Sequence, residues 1–490
     1  MRSAVLLLLS CVGFSAQAQI PSREYAQRRQ ALMQQIDSGF VFSAGGRDPV
    51  NHFPDFYQIP AFRYLTGYLE PDASLVLLKR ARGAAGILFV PPTNLRAALY
   101  NGRFTDSAAL GRENGLQVRY AAGLLPLLDS LSQTGLPLYV VGDFQSNEFA
   151  RSDTLSFSRT LVRQLQERHA SLQVRDATPM VDRLRAHRSP AELALLRKAI
   201  EISDKGHLAA MEMIAPGRSE NEVQATMEYT FRRLGGDRPA YTSIVGSGPN
   251  STVLHYPAGR RVLQAGEVVL MDVATGYEGY AADITRTVPV GGSFTPGQRA
   301  IYQIVLDAQK TAERLVKPGA SRDTAYGSAR VVVKQGLAKL GLIESPDAVF
   351  DAPEGLCPVR PGLRKEGELC PQWYLYSYHG YGHGIGLDVH DPAQYSDVPP
   401  FTFQVGDAFT IEPGLYVRAS ALDGLPDTPR NRVMINKVRP AVGRYQNIGV
   451  RIEDDYFVTP TGVERVSQAP REISEVEAAM TRPRAARTTR

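Results

Sequence analysis

The stretch Val268-Val-Leu-Met-Asp272-Val-Ala-Thr-Gly276-Tyr-Glu-Gly279-Tyr-Ala-Ala-Asp283-Ile-Thr-Arg-Thr287 decides the fold. It opens as an apolar run that closes on an acid. Such a run reads as a buried strand, and a carboxylate at its end is costly unless something compensates its charge. A turn near Gly276 would bring a second strand back and set Asp283 beside Asp272. Two close carboxylates repel, so one must hold a proton or both must face cations. Either aspartate alone also reads as a turn residue or an ion-pair partner. The motifs further along the chain favour a metal.

Toward the C-terminus comes His379-Gly-Tyr-Gly-His383-Gly-Ile-Gly-Leu-Asp388-Val389-His390-Asp391, which holds three of the eight histidines. Its glycines permit close backbone approach, and imidazoles there suit metal ligation or proton transfer near neutral pH. Glu412 lies in Phe409-Thr-Ile-Glu412-Pro-Gly-Leu-Tyr416, at a strand end because Pro413-Gly414 signals a turn. Glu453 lies in Gly449-Val-Arg451-Ile-Glu453-Asp-Asp, after strand-like alternation. Asp272, Asp283, His383, Glu412 and Glu453 together offer four carboxylates and one imidazole. Oxygen-rich ligation suits Mn²⁺, with Zn²⁺, Co²⁺ or Fe²⁺ as alternatives. Two such ions about 3.5–4 Å apart would clamp the attacking and developing oxygens of a hydrolysis and acidify a water between them.

These motifs, with His255-Tyr-Pro257, resemble the M24 "pita-bread" metallopeptidases, most closely the aminopeptidase P and prolidase branch. The resemblance spans about residues 25–468 and is strongest from 190 onward. It implies an α/β (α+β) chain: a C-terminal pita-bread fold with an internal pseudo-twofold duplication, preceded by a smaller α/β domain. It implies the five residues above as ligands of two divalent ions. Glu412 would also handle the proton of the attacking water. His390 would stabilise the developing oxyanion, His255 would orient substrate, and His379, Val389, Arg451 and Tyr416 would line a proline pocket. The implied reaction is hydrolysis of Xaa-Pro bonds, releasing the first residue of a peptide with proline second. A dipeptide-limited prolidase is the rival within the class, and it would need an arginine to clamp the free carboxylate, either Arg451 or one from the 417–444 excursion. A metal-free peptide-binding protein is the rival outside it. Homodimers or homotetramers are implied by the same resemblance.

An internal echo supports duplication. Glu212-Met-Ile-Ala-Pro-Gly-Arg-Ser219 recurs as Arg314-Leu-Val-Lys-Pro-Gly-Ala-Ser321, each closing one helix at Pro-Gly and opening another. A long helix should begin at Ser189-Pro-Ala-Glu192, a cap with proline in the first turn. Upstream, 19–178 reads as the α/β domain, with strands at Gly39-Phe-Val-Phe-Ser43, Ala73-Ser-Leu-Val-Leu-Leu78 and Gly86-Ile-Leu-Phe-Val90 alternating with helical stretches, hence a mixed or parallel sheet. The catalytic domain takes 179–468. The long segment between Tyr416 and Tyr445 reads as a surface excursion, and 469–490 as a frayed tail with a short helix from Ser474 to Met480.

Residues 1–18 read as a secretory signal: Arg2, an apolar stretch from Ala4 to Phe14, and Ala16-Gln-Ala18 as cleavage site. The run is too short to span a membrane, and Cys11 is not followed by a lipidation box. A soluble periplasmic or secreted bacterial protein, without a membrane anchor after cleavage, is expected. Cys357 and Cys370 then remain; an oxidising compartment permits a disulfide, and two buried thiols are the alternative. The 490 residues suggest at least two domains. The charge of +5, from 55 basic and 50 acidic residues, is small and dispersed, and no basic helix or zinc-finger spacing suggests nucleic acid.

Overall fold

The computed structural model describes residues 19–48, 55–80, 83–92, 98–99, 106–142, 156–357, 359, 364–391 and 401–481. The signal segment and the last nine residues lie outside them.

The N-terminal domain runs through α1 (Ser22–Gln34), β1 (Gly39–Ala44), α2 (Pro60–Thr66), β2 (Ser74–Arg80), β3 (Gly83–Val90), α3 (Ser107–Asn114), β4 (Gln117–Tyr120), α4 (Leu124–Ser132), β5 (Leu138–Val141), α5 (Phe157–Arg168), β6 (Val174–Asp176) and α6 (Thr178–Arg185). Its strands form one sheet in the order β4-β3-β2-β1-β5-β6. β1, β2 and β3 pair antiparallel, and β4, β5 and β6 join parallel at the two sides, so the sheet is mixed. Side chains alternate across it, as a two-residue period requires. Phe40, Phe42 and Val76 join the core on one face, and Val41, Leu75 and Leu77 the core on the other. α6 packs with this second core through Val181.

The rest of the described chain is built on one large core, with a small separate cluster of Ile244, Leu270 and Tyr416. α7 (Pro190–Met213) starts at the expected capping box of Ser189 and Glu192, with proline in its first turn. α8 (Glu220–Arg233) follows, then β7 (Ile244–Ser247), β8 (Val268–Asp272), β9 (Gly276–Tyr277), β10 (Tyr280–Ala281) and β11 (Thr285–Pro289). The second half repeats the plan: α9 (Pro296–Glu313) and α10 (Arg322–Leu340), the short pair β12 (Val349–Phe350) and β13 (Cys370–Pro371), then β14 (Ala408–Ile411), β15 (Gly414–Val417), α11 (Pro429–Tyr445), β16 (Ile448–Arg451), β17 (Asp454–Thr459), β18 (Gly462–Arg465) and α12 (Ile473–Thr481). Each half thus sets a helix pair against antiparallel strands, in line with the Pro-Gly echo. A glycine allows close crossing in both pairs. A Cβ on Gly206 of α7 would stand 2.2 Å from the Phe231 ring of α8, and one on Gly336 of α10 would stand 2.7 Å from Ile304 of α9.

Two sequence readings change and a third is decided. Within the 417–444 segment α11 is no surface excursion: Met434, Val438, Val442 and Tyr445 bury one face against the core. Residues 469–481 are not frayed: the short helix read at Ser474–Met480 is present as α12, with Val476 and Ala479 buried, and it packs on α7. Cys357 and Cys370 are joined in a disulfide, their Cα atoms 6.0 Å apart, which selects one of the two alternatives left by the sequence.

Candidate active site

The two aspartates meet as the opening stretch suggests. β8 and β11 are antiparallel, with Asp272 opposite Thr285, and Asp283 stands just ahead of β11. The chain between them returns through the β9–β10 hairpin. Its corner, Glu278 and Gly279, has φ of 47° and 74°, the left-handed pair that a tight hairpin demands. The second half contributes Glu412 at the end of β14 and Glu453 in the one-residue-wide gap between Ile452 and β17. The backbone N–H of Glu453 donates to Thr285 O at 3.1 Å and fastens the two halves together at the site.

The donor atoms converge. Oxygens of Asp272, Asp283 and Glu453 form one cluster; His383, Glu412 and Glu453 form a second; each holds its ligand atoms within 4.8 Å of one another. Glu453 belongs to both, which is the arrangement expected of a residue shared by two ions. A third cluster joins Asp283 and His383 to His390. His390 lies at the solvent side of the cleft, its ring 3.9 Å from that of His383. His383 Nε2 is 3.3 Å from Asp283 Oδ2, 3.6 Å from Glu412 Oε1 and 3.8 Å from Glu453 Oε1. Its Nδ1 donates to Gly384 O at 3.0 Å, which turns the lone pair of Nε2 toward the acids.

A supporting shell fixes these groups. Tyr241 Oη donates to Asp272 Oδ1 at 2.6 Å, and Thr285 Oγ1 donates to Glu453 Oε2 at 2.7 Å. Arg451 stands beneath the cleft, only 3% exposed. Its Nη2 donates to Asp272 Oδ2, its Nη1 to Tyr416 Oη at 2.7 Å and its Nε to Thr285 Oγ1 at 3.1 Å. Tyr416 Oη meets His379 Nε2 at 2.9 Å, and His379 Nδ1 meets Gly380 O at 2.6 Å. Arg451, Tyr416 and His379 therefore form one relay along a wall of the site. Val389 is half-buried beside His390, and His255 is exposed on the loop before Tyr256. Sequence reasoning missed Tyr241, and it missed His207 of α7. The buried His207 Nε2 lies 3.0 Å from Val273 O and 3.1 Å from Ile284 O, and pins the residues that follow Asp272 and Asp283. Neither carried a local signal.

Burial gathers negative charge here faster than the protein neutralises it. It pushes the Glu412 carboxyl up to about 7 and raises Asp283 and Glu453 as well. Burial alone would lower His383, but its hydrogen bond to Asp283 and the charge of Glu412 hold it up at about 9. A divalent cation is the group such a site lacks, and four carboxylates with one imidazole fit a pair of them. Binding must then displace protons. Titration of Mn²⁺ into chelated protein, in buffers of differing ionisation enthalpy, should show proton release and an affinity that weakens as pH falls below about 9 and more steeply below about 7. Affinity independent of pH between 6 and 9 would contradict this assignment. Without ions the fold has the opposite preference. Glu412 and His383 both hold protons above their unfolded pKa values, so the chelated protein should lose stability as pH rises through about 7 and then about 9.

The paired helix-and-sheet halves and the acid-rich cleft at their junction define a metal-dependent hydrolase. Comparison with known proteins narrows this. The family model described as metallopeptidase family M24 matches residues 194–460, and the model for the aminopeptidase P N-terminal domain matches residues 25–131. The Xaa-Pro aminopeptidase of Escherichia coli (strain K12) is 33% identical over 473 residues, covering 94% of this chain and 98% of that protein. Xaa-Pro aminopeptidase 3 of Homo sapiens is 28% identical, covering 93% of this chain and 85% of that protein. The solved structure of E. coli aminopeptidase P with the inhibitor Pro-Leu superposes with a TM-score of 0.76 at 30% identity, covering 94% of this chain and 98% of that one. A zinc-substituted form of the same enzyme in complex with product gives 0.75 at 30% identity over the same shares. The chain belongs to metallopeptidase family M24 and carries the N-terminal domain of aminopeptidase P.

Proposed function

We propose that this protein removes the first residue from peptides whose second residue is proline. Its ligands for two divalent ions would be Asp272, Asp283, His383, Glu412 and Glu453, with Mn²⁺ as the working metal. The observation that carries the reading is the convergence of those five donors on one cleft, in a chain whose relatives are named Xaa-Pro aminopeptidases. When bound, the ions supply Lewis acidity and lower the pKa of a water. The residues do the rest. Glu412 takes the proton of the attacking water and returns it to the departing proline nitrogen. His390, above His383 at the mouth, donates to the carbonyl oxygen as charge develops there, and His255 orients the peptide from the facing loop. His379, backed by Tyr416 and Arg451, walls the proline ring together with Val389. Proline has no N–H, so that wall need supply no acceptor.

A specific observation removes one of the two carboxylate clamps open to a dipeptidase: Arg451 is buried with its donors already directed at Asp272, Tyr416 and Thr285, so a prolidase would have to use an arginine of the 417–444 segment, such as Arg418 beside Tyr378. A catalytically silent peptide binder has no use for a complete ligand set. Export to the periplasm by residues 1–18, no membrane anchor after their removal and assembly as a homodimer or homotetramer complete the proposal. Incubation of the Mn²⁺-loaded protein with Gly-Pro and with an Xaa-Pro-Yaa tripeptide tests the reaction. The tripeptide should lose its first residue much faster than the dipeptide is split. Cleavage of the dipeptide alone would make the protein a prolidase, and cleavage of neither would leave the binding role.

A further inference from the structure

Two buried arginines from the junction between the domains grip the loop that carries His390. Arg185 ends α6, and Arg188 directly precedes the Ser189 that caps α7; they are 4% and 5% exposed. Arg185 Nη2 donates to Asp388 Oδ2 at 2.7 Å and to Asp391 Oδ2 at 3.0 Å. Arg188 Nε and Nη2 donate to Ile385 O at 3.1 and 2.6 Å, and Nη2 stands 3.3 Å from Asp391 Oδ2. The loop also closes on itself, since Asp391 N–H donates to Gly384 O at 2.8 Å and Gly386 N–H to Asp388 O at 3.0 Å. There is no slack in this packing: a Cβ on Gly386 would lie 2.4 Å from Asp391 Oδ2 and 3.0 Å from Arg188 Nη2. Val389 and His390 sit between the two gripped aspartates. The arginines are in turn tied to the N-terminal domain, where Tyr64 Oη of α2 donates to Leu184 O at 2.9 Å and Val181 joins the core.

We propose that Arg185 and Arg188 are positioning residues for His390: through Asp388, Asp391 and Ile385 they hold the loop so that the His390 ring lies over His383, and the seating of the N-terminal domain thereby sets a group that meets the substrate. This rests on the peptidase reading of the cleft. The physical cause is charge. Without Arg185, Asp388 and Asp391 become two neighbouring buried carboxylates short of a counter-ion, and the loop relieves that by moving toward water. A displacement of about 1 Å at a group acting in the transition state can lower turnover by ~10²-fold.

The test is a double-mutant cycle on the full-length, Mn²⁺-loaded enzyme with an Xaa-Pro-Yaa substrate, using Arg185→Gln, His390→Ala and both together. Bound metal per chain is measured for each variant. Arg185→Gln should lower kcat by roughly 10–100-fold with bound metal and KM little changed, and Arg185→Lys should recover part of the loss. In the His390→Ala background, Arg185→Gln should change kcat by no more than about twofold. Losses that multiply in the double variant, an Arg185→Gln enzyme with wild-type kcat, or a loss that tracks missing metal would each overturn the proposal. If Arg185→Gln does not fold, Asp388→Asn takes its place in the same cycle, with the same expected and overturning results. A wild-type protein inactive on the peptide would overturn the peptidase reading instead. Crystal structures of the same variant then decide the positioning: a displaced 384–391 loop supports it, and an unmoved His390 overturns it.

Discussion

Glu453→Ala is expected to strip the divalent ions and the peptidase activity together while leaving the fold intact. Glu453 is the one residue common to the two ligand clusters that divide the five proposed ligands, so its loss degrades both ion sites. If the ions contribute about 4 kcal/mol of transition-state stabilisation, turnover falls by roughly 10³-fold. The expected stability change runs the other way. Burial, then the charges of Asp283 and Glu412, hold the Glu453 carboxyl well above its usual range, which marks a group placed at the expense of the ion-free fold. In chelator at pH 8 the variant should melt no lower than wild type, whereas added Mn²⁺ should raise the melting temperature of wild type alone. Metal analysis, activity and melting with and without Mn²⁺ read all three. A variant that keeps full activity would remove Glu453 from the ligand set.

Asp454→Leu should have the largest effect on stability, about 3–5 kcal/mol. Asp454 is fully buried and meets Arg286 Nη2 at 2.5 Å and Arg471 Nη1 at 3.1 Å, with Gln309 Nε2 at 3.1 Å on the same oxygen as Arg471. Burial would raise its pKa, but the charges of Arg286, Arg471 and Arg465 outweigh that and hold it below the usual range. Its contribution is therefore complete at neutral pH and is lost only as pH falls below the ordinary value of 3.8. Removing the acid leaves Arg286 as a buried cation with carbonyl partners only, among them Glu453 O at 2.5 Å, so the metal site should loosen as well. Arg286→Met added to Asp454→Leu should recover part of the stability, because an apolar pair replaces an unpaired charge. Urea unfolding of the single and double variants at pH 7 measures this. Equal stability of Asp454→Leu and wild type would mean that the network carries little.

How much of the fold and the site is legible in the chain depends on how local each signal is. Asp272 announces itself by ending an apolar strand, Glu412 by the Pro-Gly after it, and His383 by the glycines around it. Tyr241 and His207 reach their partners across 31 residues and across 66 and 77 residues, and no short pattern encodes such a contact. α11 escaped notice although Met434, Val438, Val442 and Tyr445 follow a helical period, because Pro426 precedes it, Pro429 opens it and Pro440 interrupts it. Residues 469–481 looked frayed because their charges suggest solvent. Yet Arg471 is drawn inward by Asp454 and by Glu313, 2.8 Å away, and Val476 follows it into the core. Arg185 and Arg188 read as the polar punctuation of a domain boundary; only the fold shows that they face Asp388 and Asp391.

The most direct measurement is anomalous diffraction from crystals of the Mn²⁺-saturated protein. Two peaks should appear in the cleft, one against Asp272, Asp283 and Glu453 and the other against His383, Glu412 and Glu453. A cleft without peaks at full metal loading, or peaks held by other residues, would contradict the account.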